Sequence, residues 1–140
     1  MEYRVIDADG HILEPPDLWE QYIEPQYREA CPKLITADDS EIFRIEGDDA
    51  VDLGRGKKRV KFGGLGTIGA RSDRGVKSHR IPYAEGRRGG FDPHARIQDM
   101  DTDGIDAAFL YPSLGLFLGA IKDPDFSAAA CRAYNRWLTC

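Results

Sequence analysis

A chain of 140 residues with 41% hydrophobic and 31% charged side chains has the balance of one globular domain, not of a disordered segment. No apolar run approaches the ~20 residues that span a bilayer, the N-terminus lacks the regions of a secretory leader, and three cysteines without a CxxC spacing argue for free thiols in a reducing, cytoplasmic setting. The net charge of −5 hides an asymmetry: between Gly54 and Gly90 eleven Lys and Arg face two acids, in a stretch holding ten of the fifteen glycines.

Residues 3–9, YRVIDAD, read as a short strand that Pro15 and Pro16 close off. PDLWEQYI, 16–23, predicts a short helix with Leu18, Trp19, Tyr22 and Ile23 on adjoining faces. KLIT, 33–36, and EIFRIE, 41–46, predict a hairpin across the polar turn ADDS, and KRVKF, 58–62, a further strand. From Gly63 to Gly90 no period holds, so this stretch is expected as loop, more mobile than its flanks. Regularity returns at FDPHARIQDMDTDGID, where Asp92 suits an N-cap, Pro93 a first helical position and Gly104 a stop. IDAAFLY, 105–111, reads as a buried strand ended by Pro112. Asp123-Pro124 opens a second helix, with Phe126, Ala130, Tyr134 and Trp137 on one stripe and Arg132, Asn135 and Arg136 turned away.

Strand, long excursion, helix, strand, helix is the rhythm of β/α units, with 4–8 and 106–111 expected as parallel neighbours. A complete barrel of such units needs ~250 residues. Two strands cannot close one, which leaves a small α/β domain or a piece of a larger one.

The chemistry concentrates in VIDADGHI, 5–12. On an extended strand Asp7, Asp9 and His11 share a face. Asp9 and His11 are then about 6.6 Å apart along the strand, close enough to converge on one ion beyond its end. A carboxylate with an imidazole suits zinc, manganese or iron. The competing reading is a plain Asp-Gly turn whose aspartates bond backbone amides. A calcium loop begun at Asp7 fails, because its sixth position is Ile12 and its twelfth Leu18.

Two further signals carry less. GLGTIG, 64–69, spells G-x-G-x-x-G, but no apolar helical stripe follows it, as a dinucleotide site requires. The basic stretch 54–90 would attract phosphate, yet only Phe62 and Tyr83 could stack on bases and the remainder of the chain is acidic. A solvated loop offering an Arg to an anionic substrate is preferred to nucleic acid. The rival from another class is a non-catalytic fragment that binds a protein partner or nucleic acid through 54–90.

VIDADGHILEPPDLWEQYI resembles the start of the amidohydrolase-related family, the branch of the metal-dependent amidohydrolase superfamily that includes aminocarboxymuconate-semialdehyde decarboxylase and the resorcylate decarboxylases. Its members begin Ile-Asp-x-His-x-His or carry an acid for the first histidine, and Ile6, Asp7, Asp9 and His11 take those places. RIQDMDTDGIDAAFLYPS, 96–113, resembles the family's first barrel helix and second strand, and DPDFSAAACRAYNRWL, 123–138, the helix after it. The resemblance implies an α/β chain forming the N-terminal part of a (β/α)8 TIM barrel, with a Gly-rich basic insertion over 24–91. It implies one divalent metal, zinc before manganese, with Asp9 and His11 as its first ligands. Asp9 departs from the plainer pattern and leaves the choice of metal open. The remaining ligand and the acid–base residue would lie beyond residue 140, so no catalytic residue is assigned here. His79 and His94 are read as surface residues. Tyr111 and Ser113, at the end of the second barrel strand, would face a small-molecule substrate that bears a carboxylate, with rim packing an equal reading for Tyr111. The resemblance implies a hydrolase or a non-oxidative decarboxylase. Alone, the chain is expected to be inactive, to hold metal weakly, and to expose the second strand's edge and the Phe126 stripe, which favours homo-oligomers.

Overall fold

Aspartate followed by proline opens both long helices. The structure, a computed structural model, describes residues 4–37, 40–49, 51–52, 56–59 and 82–140. In α3 (Pro93–Asp103) the Asp92 carboxylate accepts the N–H groups of His94 at 2.9 Å and Ala95 at 3.4 Å, two of the donors a helix start leaves unpaired. Gly104 ends that helix at φ 70°, a left-handed conformation that costs glycine little. In α4 (Pro124–Leu138) Asp123 caps the N–H groups of Asp125 and Phe126 in the same way. The shorter helices are α1 (Leu18–Tyr22) and α2 (Arg88–Phe91), with 3-10 turns at Pro25–Tyr27, Tyr83–Glu85 and Leu114–Ala120.

Among the described residues three two-stranded sheets form. β1 (Ile6–His11) runs parallel to β6 (Ala107–Tyr111), with α3 leading into the second strand as expected. β2 (Lys33–Ala37) and β3 (Ser40–Arg44) make the expected hairpin, with Leu34 opposite Phe43 and Ile35 opposite Ile42. β4 (Val51–Asp52) pairs with β5 (Lys57–Lys58), which meets the expected 58–62 strand at Lys58 alone, residues 60–62 lying outside the described residues. GLGTIG, His79 and most of the basic stretch lie outside the described residues. Its described end, residues 82–90, holds short turns and no long helix: Tyr83–Glu85 is a 3-10 turn, the four-residue α2 begins at Arg88, and Tyr83 is fully buried.

The apolar core does not sit on the parallel pair. It forms where α4 meets α1, the β2–β3 hairpin and the Leu114–Ala120 turn. Trp19 is completely buried, its Nε1–H donating to the Ala130 carbonyl at 3.2 Å and its ring edge-on to Phe43 at 5.7 Å. Tyr27 stacks on Phe126 at 5.5 Å. This corrects the expectation that the Phe126 stripe lacks partners. Phe126 and Ala130 are buried, and Tyr134 and Trp137 meet edge-on at the rim, because the excursion folds back to cover α4. Residues 24–91, expected as an insertion, supply Cys31, Phe43, Ile45 and Tyr83 to that core. Arg132 and Arg136 both pair with Glu24, fastening the polar side of α4 to the same excursion. The hydrogen bond from Arg132 holds the Glu24 carboxyl below the usual carboxylate range.

The run IDAAFLY, expected to be buried, is largely exposed. Phe109 is 62% exposed, Tyr111 47% and Leu110 43%. No helix among the described residues is long and apolar enough to cross a membrane. Cys31 is a buried free thiol, and Cys131 and Cys140 are exposed ones.

Candidate metal centre

Strand pairing decides where the acidic motif points. Ile6 and Asp7 lie opposite Ala107 and Ala108, and Gly10 and His11 opposite Leu110 and Tyr111. Ala8 and Asp9 therefore stand against Phe109 alone, and the extra residue is a β-bulge that resets the alternation of faces. The expectation that Asp7, Asp9 and His11 form one row is corrected accordingly. Asp7 falls on the face of Ala108, Gly10 and Leu110, and His11 on the opposite face beside Tyr111. The Asp7 carboxylate turns along its own strand and accepts the Asp9 N–H at 3.0 Å. That donor is one the bulge withdraws from the ladder. Gly10 answers to space: a Cβ there would sit 3.0 Å from Asp7 Oδ2 and 3.0 Å from Leu110 Cδ2.

Asp9 and His11 do come together at the C-terminal end of β1. His11 Nε2 lies 3.9 Å from Asp9 Oδ1, with the Asp9 side chain 91% exposed. His11 Nδ1 lies 2.9 Å from the Pro112 carbonyl oxygen. A carbonyl only accepts, so Nδ1 carries the hydrogen of that bond, and neutral His11 presents the lone pair of Nε2 towards Asp9. The Arg96 guanidinium donates to the His11 carbonyl, tying the strand end to α3. Burial pushes the Arg96 pKa down, and the charges of Asp99 and Asp7 partly restore it. A cavity of about 570 Å³ opens here, bordered by Asp7, Asp9 and His11 of β1, Ser113 just past β6, Arg96 and Asp99 from α3, and Leu116 and Phe117.

The pair fits a divalent ion in donor type and nearly in spacing. Two tetrahedral ligands at ~2.0–2.1 Å from zinc stand about 3.3 Å apart, a small rotation of the exposed Asp9 side chain from the observed separation. The set is short in number: among the described residues no three His, Cys, Asp or Glu side chains group as a metal site, whereas a catalytic zinc ordinarily has three protein ligands. His94 is exposed in the first turn of α3. Tyr111 is half exposed, its ring 6.2 Å from that of His11. Ser113 is buried at the cavity edge, and its backbone N–H donates to Glu14.

Glu14 is the residue that motif reading missed. It is fully buried, and its carboxylate accepts the N–H groups of Ser113 at 3.0 Å, Leu114 at 2.9 Å and Gly115 at 3.0 Å. The Tyr83 hydroxyl reaches it at 3.4 Å. Burial and then the Glu14 charge push the Tyr83 phenol far up, and burial with the same charge raises Tyr134 to about 12. The available signal was an acid set between Leu13 and two prolines directly after the motif, where neither a helix face nor a turn gives it solvent.

With that geometry in place, the comparisons can be stated. No family model matches the sequence, and no curated protein matches it. Among solved structures, an amidohydrolase from Mycobacterium avium subsp. paratuberculosis superposes on it with a TM-score of 0.65. The likeness is one of fold. It covers 99% of this chain at 23% identity, and the chain spans 38% of that protein.

Proposed function

We propose that this chain carries the first metal-binding strand of an amidohydrolase-type enzyme, a hydrolase or a non-oxidative decarboxylase, within an incomplete (β/α)8 barrel. The observation behind the reading is the 3.9 Å approach of Asp9 to His11 at the C-terminal end of a parallel strand, with Nε2 free to coordinate. Zinc is the first choice and manganese the second, since one carboxylate and one imidazole serve both. Bound there, a divalent ion supplies Lewis acidity towards a substrate oxygen or a water. The chain's own part is to hold the two donors, to orient the His11 ring, and to line one side of the substrate space with Tyr111 and Ser113. Both reactions take small molecules, and a carboxylate-bearing substrate suits a site of this kind. The acid–base group that separates hydrolysis from decarboxylation is not assigned to any residue here.

Zinc titration of the 140-residue chain by calorimetry tests the reading. Weak binding of one ion is expected, with Asp9→Ala and His11→Ala each weakening it by at least ~10-fold, as removal of a ligand should. Unchanged binding in the double variant would mean that DADGH is a turn and nothing more.

A further inference from the structure

Glu14 and His11 are joined through a single peptide group. The Pro112 carbonyl oxygen takes the His11 Nδ1 hydrogen at 2.9 Å, and the N–H of the same peptide unit, on Ser113, donates to Glu14 Oε1 at 3.0 Å. In a trans peptide the two groups point in opposite directions, so fixing one aims the other. The next two amides, Leu114 and Gly115, also donate to Glu14, so the carboxylate grips three consecutive peptides of the segment leaving β6. A fully buried carboxylate is costly unless its oxygens are satisfied, and among the described residues its partners are these amides and a long contact to the Tyr83 hydroxyl. Burial of such a group for packing alone would be better served by an apolar side chain.

We propose that Glu14 is a positioning residue for the candidate metal centre: it orients the Pro112–Ser113 peptide so that the Pro112 carbonyl holds His11 in the Nδ1–H tautomer, with Nε2 directed at Asp9. The charged acceptor also polarises the peptide, making its carbonyl a stronger partner for the imidazole. This rests on the metal reading for its purpose but not for its geometry, which the chain has without an ion. Supporting groups of this kind ordinarily change metal affinity by 10–100-fold, although they never touch the ion.

The test is nitrogen-15 NMR of the histidine rings in the metal-free chain at about pH 8.5, above the usual histidine range. His94, exposed on α3, serves as the solvated reference. His11 is expected as the Nδ1–H form in the native chain, and Glu14→Gln, which replaces one acceptor oxygen by a donor, should shift it towards the Nε2–H form and weaken zinc about 10-fold. A merely structural Glu14 would lower the melting temperature and leave the tautomer alone. A folded Glu14→Gln chain with an unchanged His11 tautomer overturns the proposal, and so does a native chain with His11 in the Nε2–H form. Should Glu14→Gln fail to fold, coupling across the hydrogen bond between the Ser113 amide nitrogen and the Glu14 carboxylate carbon in the native chain decides: its presence supports the link and its absence refutes it. A native chain that ignores zinc while its His11 tautomer follows Glu14 would remove the metal reading and leave the positioning role standing.

Discussion

At the level of single residues, the approach of Asp9 to His11 was legible because spacing along one strand is local information. Asp7 was read as a third member of the row, whereas it sits near the start of β1 and turns along its own strand. What turned it is the bulge, and a bulge depends on the partner strand, whose sequence lies 101 positions away, as the Val5 amide bond to Asp106 marks. Glu14 was illegible for the same reason: its three amide donors come from residues 113–115. Asp7 should matter through its bond to the Asp9 amide. Asp7→Ala is expected to lower stability by about 1 kcal/mol, the usual worth of one such hydrogen bond. It should also weaken zinc, since Asp9 then loses the backbone geometry that aims it. Asp7→Asn keeps an acceptor oxygen and should do neither. Thermal melts and zinc titrations of the two variants settle this, and an Asp7→Ala chain equal to the native one in both would show that pairing with β6 alone holds the bulge.

At the level of elements, what could be read locally was read well. α3 begins and ends where Asp92, Pro93 and Gly104 place it, because caps are contacts between near neighbours. The Leu114–Ala120 turn went unseen because LGLFLGA has glycines four apart and no polar face to set a period. The α4 stripe was legible as apolar, but its cover comes from Leu18, Trp19 and the hairpin, and periodicity names no partner. The Asp92 cap has a pH signature. Its carboxyl lies below the usual range because the His94 amide, then the Ala95 amide and the Arg88 side chain, favour the anion. A carboxyl depressed in the folded state adds stability that is complete above its unfolded value of ~3.9 and is lost as pH falls through the folded one. Asp92→Asn retains a capping oxygen without a titrating group. Near neutral pH the two chains should therefore have similar amide protection in the first turn of α3. Below about pH 4 the native chain should lose protection faster. Parallel profiles for the two would show that the cap does not depend on the charge.

Over the whole molecule, the core and the candidate site occupy different places. The core is gathered around α4, while the parallel pair that carries Asp9 and His11 presents Ile6, Phe109 and Tyr111 on the His11 face. A sequence read for hydrophobicity marks IDAAFLY as interior, and that is correct about its chemistry. What the sequence could not tell is whether the residues that would cover it belong to the same 140. An exposed apolar sheet face with open strand edges associates with other copies unless charge or cover prevents it. The chain should therefore sediment as a monomer at low concentration and as larger species as concentration rises. Phe109, 62% exposed at the centre of that face, is the position to alter. Phe109→Lys should shift the equilibrium towards monomer. Because the side chain is outside the core, its melting temperature at low concentration should stay within the small range of surface substitutions, about 0.5 kcal/mol. A native chain that is monomeric at every concentration would mean that the bare face is tolerated as it stands. A Phe109→Lys chain that both melts early and remains associated would mean that Phe109 belongs to the packed interior of this chain after all.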